Sequence, residues 1–200
     1  MKKILTTAVI LSLAALISAV SYHSAFEQIS DNVIRLHIIP NSNSEQDIAM
    51  KFSVRDEILS VMQKELGSNT DRSEILNSAE KIERLANRYL AENDIPYPAV
   101  AEIDNTNIPR KSYNGITMPA GNYTAIRVVL GDGGGDNWWC VAYPPLCFTE
   151  EVFGKLSASG AKQLKENIGK RGYSIISDEI DCELKIIEIS EKIIDFIKNR

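Results

Sequence analysis

The chain has 200 residues, of which 44% are hydrophobic and 24% charged, and its net charge at neutral pH is −5. Because Lys2 and Lys3 are the only charged residues among the first 21, the remainder carries −7, which argues against nucleic acid as a partner. A chain of this length and composition buries one ordinary hydrophobic core, so the sequence predicts a single domain over residues 33–200.

The N-terminus has the pattern of a bacterial export signal, with two lysines ahead of an apolar run at residues 4–20. Ala19 and Ser21 fit the positions that a signal peptidase reads, which places cleavage before Tyr22. The run is also nearly long enough to remain as a membrane anchor. Both alternatives place everything after residue 21 outside the cytoplasm. Residues 22–32 are interpreted as a linker, and membrane contact is expected only through the N-terminal segment.

Residues 33–39 alternate between apolar and polar side chains, which predicts a half-buried strand with Arg35 and His37 on its polar face. A turn at residues 40–44 follows, and either Ser42 with Glu45 or Ser44 with Asp47 forms a capping box for the next helix.

Two helices are predicted after this turn. The first ends at Gly67 and carries an apolar stripe that includes Phe52 and is interrupted by Arg55, which either reaches solvent or meets a carboxylate. The second begins near residue 71 or 73 and stops before Pro96. We expect the two helices to form an antiparallel hairpin that covers a sheet.

The central stretch combines two apolar strands, residues 124–130 and 138–143, with a glycine-rich connection between them. This pattern predicts an antiparallel pair with a long, mobile tip. Trp138 and Trp139 fall on opposite sides of an extended segment, so one fills the core while the other meets solvent or a partner.

The glycine-rich connection allows three chemical interpretations. A phosphate-binding loop needs a lysine and a hydroxyl residue that open a helix, whereas these glycines lead into Trp138. Asp132 and Asp136 supply only two of the six to eight oxygens that calcium requires. The sequence therefore favours a solvated loop, and it predicts neither a cofactor nor a metal.

The cysteines and histidines indicate a disulfide rather than a catalytic site. Pro144 and Pro145 turn the chain between Cys140 and Cys147, which favours a bridge between these two in an exported protein. A catalytic pair with His37 would need one of these thiols free. We therefore expect a protein that is not an enzyme.

The remaining elements complete an α+β domain with a mainly antiparallel sheet and helices packed on one face. Short strands are predicted at residues 98–104 and 109–113, a helical turn at 150–154, and a lysine-rich, mostly solvated helix at 159–170. A strand around Cys182, with this odd cysteine on its buried face, and an amphipathic helix at 189–197 end the chain.

Two segments carry a resemblance to a known family. Residues 36–44 read LHIIPNSNS, followed by the step VRD at 54–56, and the later motifs are NWWC at 137–140 and PPLCF at 144–148. These motifs resemble the stage II sporulation protein R family of endospore-forming bacteria, in which the first segment typically reads LHVIANSDS. Pro40 replaces the usual alanine and Asn43 the usual aspartate, and the resemblance spans nearly the whole chain.

The resemblance implies a signalling protein that is made in the forespore and exported into the space between the two spore membranes. There it would be needed to activate a membrane-embedded aspartic protease that removes the pro-sequence of the mother-cell factor sigma E. We therefore expect Trp138, Trp139, Asp132, Asp136, Arg35 and His37 to contact a partner. The alternative function is a secreted hydrolase or a cell-wall-binding domain that uses a cleft beside the glycine-rich loop.

Overall fold

The computed structural model describes residues 2–66, 71–113, 115–144, 146 and 158–177. These form an α+β fold with a mainly antiparallel sheet, as the sequence predicts. In chain order the elements are α1 (Lys2–Asn32), β1 (Ile34–Ile39), α2 (Glu45–Leu66), α3 (Arg72–Leu76), α4 (Ala79–Glu92), β2 (Ala99–Ile108), β3 (Lys111–Tyr113), β4 (Ile116–Met118), β5 (Gly121–Leu130), β6 (Trp138–Tyr143) and α5 (Ala158–Ile176).

The main sheet has the strand order β2-β5-β1-β6, and β3 pairs with β4 in a separate hairpin. β1 runs parallel to β5, with Ile34 opposite Thr124, and antiparallel to β6, with Leu36 opposite Cys140. The prediction that β5 and β6 form an antiparallel pair is therefore wrong, because β1 lies between them. A strand inside the sheet has both backbone edges paired and both faces covered, and in IRLHII every residue except Arg35 and His37 is apolar.

β1 is buried along its whole length, so the prediction of a half-buried strand is wrong. Arg35 is fully buried and His37 is 4% exposed. Alternation between apolar and polar residues indicated a solvated face, but these two polar side chains find partners inside the protein. Arg35 donates from Nε to the Cys140 carbonyl oxygen (2.9 Å) and from Nη2 to the Tyr113 hydroxyl (2.7 Å), which offsets the cost of burying its charge.

One face of the sheet carries the larger hydrophobic core and is covered by α2, α3 and α4. Ile34, Leu36 and Ile38 of β1 lie at its centre with Ile126 and Val128 of β5. The helix predicted to begin near residue 71 or 73 is broken at residues 77–78, because Ser78 takes the N-cap position of α4 and its carbonyl oxygen accepts the backbone N–H of Ile82 (2.9 Å).

A second core lies on the opposite face, where the end of α1 and α5 pack against β4, β5 and β6. Ala25 and Ile29 of α1 are buried, so the interpretation of residues 22–32 as a linker is wrong. Leu164 and Ile168 of α5 are fully buried as well. A lysine-rich sequence therefore still buries the stripe that repeats every four residues. The other described positions between 162 and 170 are exposed or half-buried, so the predicted helix is mostly solvated apart from this stripe.

Several predictions fall outside the described residues. They concern the helical turn at residues 150–154, the strand around Cys182, the C-terminal helix at 189–197 and the second cysteine of the predicted bridge, Cys147. Cys140 is described, and it is 5% exposed within the larger core. The pairing of Cys140 with Cys147 stays a prediction.

Candidate interaction surface

Two loops lie side by side because the strands that precede them are parallel neighbours. The carboxyl ends of adjacent parallel strands meet at the same edge of a sheet. The β1–α2 loop (residues 40–44) follows β1, and the β5–β6 loop (residues 131–137) follows β5. The two segments that carry the resemblance, far apart in sequence, therefore meet in space.

Hydrogen bonds join these loops over most of their length. The backbone N–H groups of Gly134 and Gly135 donate to the carbonyl oxygens of Asn41 (2.9 Å) and Pro40 (3.2 Å). The amides of Asp132 and Asp136 donate to the side-chain oxygens of Asn41 (2.9 Å) and Asn43 (2.7 Å). The β5–β6 loop is therefore fixed by the neighbouring loop, and the expectation of a long, mobile tip is wrong.

Asp47, in the first turn of α2, holds the β1–α2 loop in place. Its carboxylate, which is buried, accepts hydrogen bonds from Asn41 Nδ2 (2.9 Å), from Ser42 Oγ and from the Tyr97 hydroxyl (2.6 Å). The hydrogen bonds from Ser42 and Tyr97, with smaller contributions from Asn41 and Ser44, lower the pKa of Asp47 to about 2. Asp47 is therefore ionised at neutral pH.

The glycines of the β5–β6 loop are needed for close approach as well as for backbone freedom. Gly131 has a φ of +55°, and a Cβ there would collide with the Asn41 side chain. A Cβ at Gly135 would collide with the carbonyl oxygen of Ser42. Contact with the β1–α2 loop thus explains the glycines at positions 131 and 135.

A cluster of aromatic and cationic side chains lies beside the paired loops, and Phe52 is its exposed member. Phe52 of α2 is 37% exposed, so its assignment to the buried stripe is wrong. Lys51 Nζ and the Arg55 guanidinium each lie 4.7 Å from the centre of its ring, and the guanidinium also lies 5.4 Å from that of Trp138. We call Lys51, Phe52, Arg55 and Trp138 the aromatic–cation cluster.

The two cations of this cluster are held differently. Lys51 is 4% exposed and donates to the backbone oxygen of Asp136 (2.9 Å), and burial lowers its pKa. Arg55 has a side chain that is 14% exposed and forms an ion pair with Asp56 (2.7 Å). Of the two alternatives predicted for Arg55, the carboxylate partner is confirmed, while the guanidinium lies against aromatic rings.

Trp139 lies on the other face of the sheet from Trp138, as the alternation along β6 predicts. Its ring stacks on the imidazole of His37 with a centroid separation of 3.5 Å. His37 Nε2 lies 2.7 Å from the Asn137 side-chain oxygen. Burial is the main cause that lowers the pKa of His37 to about 4, so the ring is neutral at physiological pH.

The structure separates the predicted partner-contact residues into three groups. Asp132 and Asp136 are exposed in the β5–β6 loop, and both tryptophans are half-buried. Arg35 and His37 are buried in the interior, so neither lies on the surface that a partner could contact. Sequence reasoning assigned Asp47 to a helix cap and Phe52 to the core. The signal for a larger role of Asp47 was its position three residues after the PNSNS run at 40–44, and Phe52 carried no such signal.

The described part of the chain contains no group of three or more His, Cys, Asp or Glu side chains placed to hold a metal ion. Near the N-terminus, Ile4–Asn32 includes an 18-residue window with a mean hydropathy of 2.2, none of which is buried. Its length and composition fit a signal sequence or a membrane span.

Comparison with known proteins finds a match over the part of the chain that contains the two motif segments. A family model described as stage II sporulation protein R matches residues 30–152, which include both paired loops. Stage II sporulation protein R of Bacillus subtilis (strain 168) is 32% identical over 154 residues, covering 75% of this chain and 68% of that protein. No solved structure matches. A match of this extent, over the loops that the structure joins, shows that the chain belongs to the stage II sporulation protein R family.

Proposed function

We propose that this sporulation protein is an exported signal that acts between the forespore and the mother cell. It enters the space between the two membranes and is needed to activate a membrane-embedded aspartic protease, which processes the pro-sigma E precursor. The family supports the sporulation role, and the apolar N-terminal helix supports export. The observation that carries the proposal is the aromatic–cation cluster beside the paired loops.

This cluster has the features of a recognition surface. Tryptophan and arginine are enriched among the residues that dominate binding energies, and a partly exposed aromatic ring loses its contact with water when a partner covers it. The surrounding loops are fixed by hydrogen bonds, so little conformational entropy is lost when a partner binds. We infer that the protease, or a segment close to it, covers Phe52 and Trp138.

A role without catalysis is supported by the position of His37. A general base has to reach the proton it removes, but His37 is 4% exposed, with the Trp139 ring stacked against it. A catalytic pair of His37 with a cysteine, which the sequence disfavours, would also need a free thiol at Cys140 or Cys147. We therefore propose a protein-binding function in preference to the alternative of a secreted hydrolase.

The test replaces Phe52 with Ala and measures conversion of the sigma-factor precursor in sporulating cells, with the exported amount quantified by immunoblot. We expect normal export and a loss of processing, because the ring is accessible and its removal leaves the core intact. Trp138→Ala should give the same loss. It also packs against the larger core, so its folding has to be checked by circular dichroism.

The matched control is Val100→Ala. Val100 lies on β2 and is 51% exposed, so it is at least as accessible as Phe52 and lies outside the cluster. It should support normal processing. Full processing by well-folded, exported Phe52→Ala and Trp138→Ala variants would remove the cluster from the mechanism, and equal loss in Val100→Ala would show that the effect is not specific to it.

A further inference from the structure

α1 joins the apolar N-terminal segment to the folded domain without a break. The helix runs from Lys2 to Asn32, and its first buried residue, Ala25, follows Val20 by five positions. At a rise of about 1.5 Å per residue, the domain begins within roughly 8 Å of the end of the apolar run. While α1 spans the membrane, the domain therefore lies directly on the membrane surface.

The end of the domain that faces this membrane follows from the contacts of α1. Phe26 packs against Tyr123, with ring centroids 5.7 Å apart, and against Gly121 at the start of β5. α1 ends beside Ile34, which pairs with Thr124. From its C-terminal end towards its N-terminus, α1 therefore passes the amino end of β5 and then enters the membrane. The paired loops lie at the opposite end of this strand, about 30 Å away.

A polar cleft lies between α1 and α5 at the membrane-facing end. Its volume is about 520 Å³, and it is lined by Ser24, Gln28, Asp31, Asn32, Lys170 and Arg171. Ser24 follows Val20 by four positions, or about 6 Å along the helix, which is roughly the thickness of one headgroup layer. Tyr22, 51% exposed, lies between them at the level where tyrosines favour the membrane interface.

The charge distribution gives this end an attraction for anionic lipid. Residues 22–200 carry −7, whereas α5 contains four basic residues and one acidic residue. Lys170 and Arg171 are exposed in the cleft, opposite Asp31, its one acidic lining residue. Guanidinium and ammonium groups bind phosphate, and the amides and carboxylate of the cleft suit the hydroxyl groups of a glycerol headgroup.

We propose that the cleft between α1 and α5 binds the headgroup of an anionic phospholipid in the membrane that α1 spans. Lys170 and Arg171 contact the phosphate, which fixes the domain upright with the paired loops directed away from that membrane. This contact is additional to the membrane contact of the N-terminal segment, and it does not depend on the identity of the protease.

The test uses the full chain in lipid nanodiscs and a water-soluble amine-modifying reagent, with mass spectrometry to follow each lysine. Lys170 should react more slowly in an equal mixture of phosphatidylglycerol and phosphatidylcholine than in phosphatidylcholine alone. The difference should be roughly fivefold for each contacting cation, and high salt should remove most of it. Lys81 on α4, on the other face of the sheet, should react at the same rate in both lipids and serves as the internal control.

A pair of variants separates headgroup binding from general charge. Arg171→Gln should lower the protection of Lys170 by roughly fivefold, whereas Arg84→Gln removes one positive charge from the opposite face and should leave the protection unchanged. Equal reactivity of Lys170 in the two lipids would overturn the proposal. Undiminished protection in Arg171→Gln would overturn it as well, since it would show that the cleft does not hold the headgroup.

Discussion

Replacing Asp47 with Asn should release the β1–α2 loop from the domain while preserving the shape of the side chain. The carboxylate accepts three side-chain hydrogen bonds, from Asn41, Ser42 and Tyr97. An amide has one accepting oxygen and no charge. One of the three donors therefore loses its acceptor, and the hydrogen bonds that remain are between neutral groups. Hydrogen bonds to charged groups contribute roughly 1.5–3 kcal/mol and neutral ones about 1. The free energy of unfolding should therefore fall by about 2–4 kcal/mol.

The assay is denaturant unfolding of the full chain in detergent, followed by circular dichroism at neutral and acidic pH. Asp56→Asn is the control, because Asp56 is an exposed carboxylate on the same helix, paired with Arg55; this change should cost less than about 1 kcal/mol.

The pH dependence provides a second check. The pKa of Asp47 is lower in the folded protein than its ordinary value of 3.8, so its contribution is complete above about pH 4 and is lost as the pH falls towards 2. The difference between wild type and Asp47→Asn should shrink over the same range. A variant as stable as wild type at neutral pH, or a difference that persists at pH 2, would refute the reasoning.

Three further predictions concern His37, the glycine-rich loop and the cysteines. The pKa of His37 is lowered from 6.5 to about 4, so wild type should lose stability as the pH falls from 6.5 to 4, by at most roughly 3 kcal/mol. In unfolding experiments His37→Phe should lack this pH dependence, and an unchanged dependence would show that His37 is not its source. Gly135→Ala should destabilise the protein more than Gly134→Ala, because a Cβ at Gly134 lies 3.2 Å from the Asn41 carbonyl oxygen whereas one at Gly135 collides with the Ser42 backbone. Equal melting temperatures of the two variants would show that the β1–α2 and β5–β6 loops separate easily. Peptide mapping without reductant should recover Cys140 linked to Cys147 and leave Cys182 open to alkylation, and alkylation of all three thiols would exclude the bridge.

Much of the local structure is determined by the sequence itself. A cap at Ser44, one of two candidates, the helix that follows it and the alternation of Trp138 and Trp139 were predicted correctly. Each depends on contacts between residues close in the chain, such as the 3.1 Å hydrogen bond from the Asp47 amide to Ser44 Oγ. The motifs at residues 36–44 and 137–148 also identified the family, because their residue types are specific without reference to geometry.

The tertiary structure alone decided which strands are neighbours and which polar residues are buried. Arg35 and His37 looked solvated because periodicity records side-chain polarity and not the partners that a distant strand supplies. The place of β1 between β5 and β6 follows from long-range pairing. That pairing also gives the glycine run its role, since it brings Asn41 and Ser42 against Gly131 and Gly135, residues more than eighty positions away in the chain. Contacts over such a separation leave no local pattern, so the surface built by the two loops emerges only when the chain is folded.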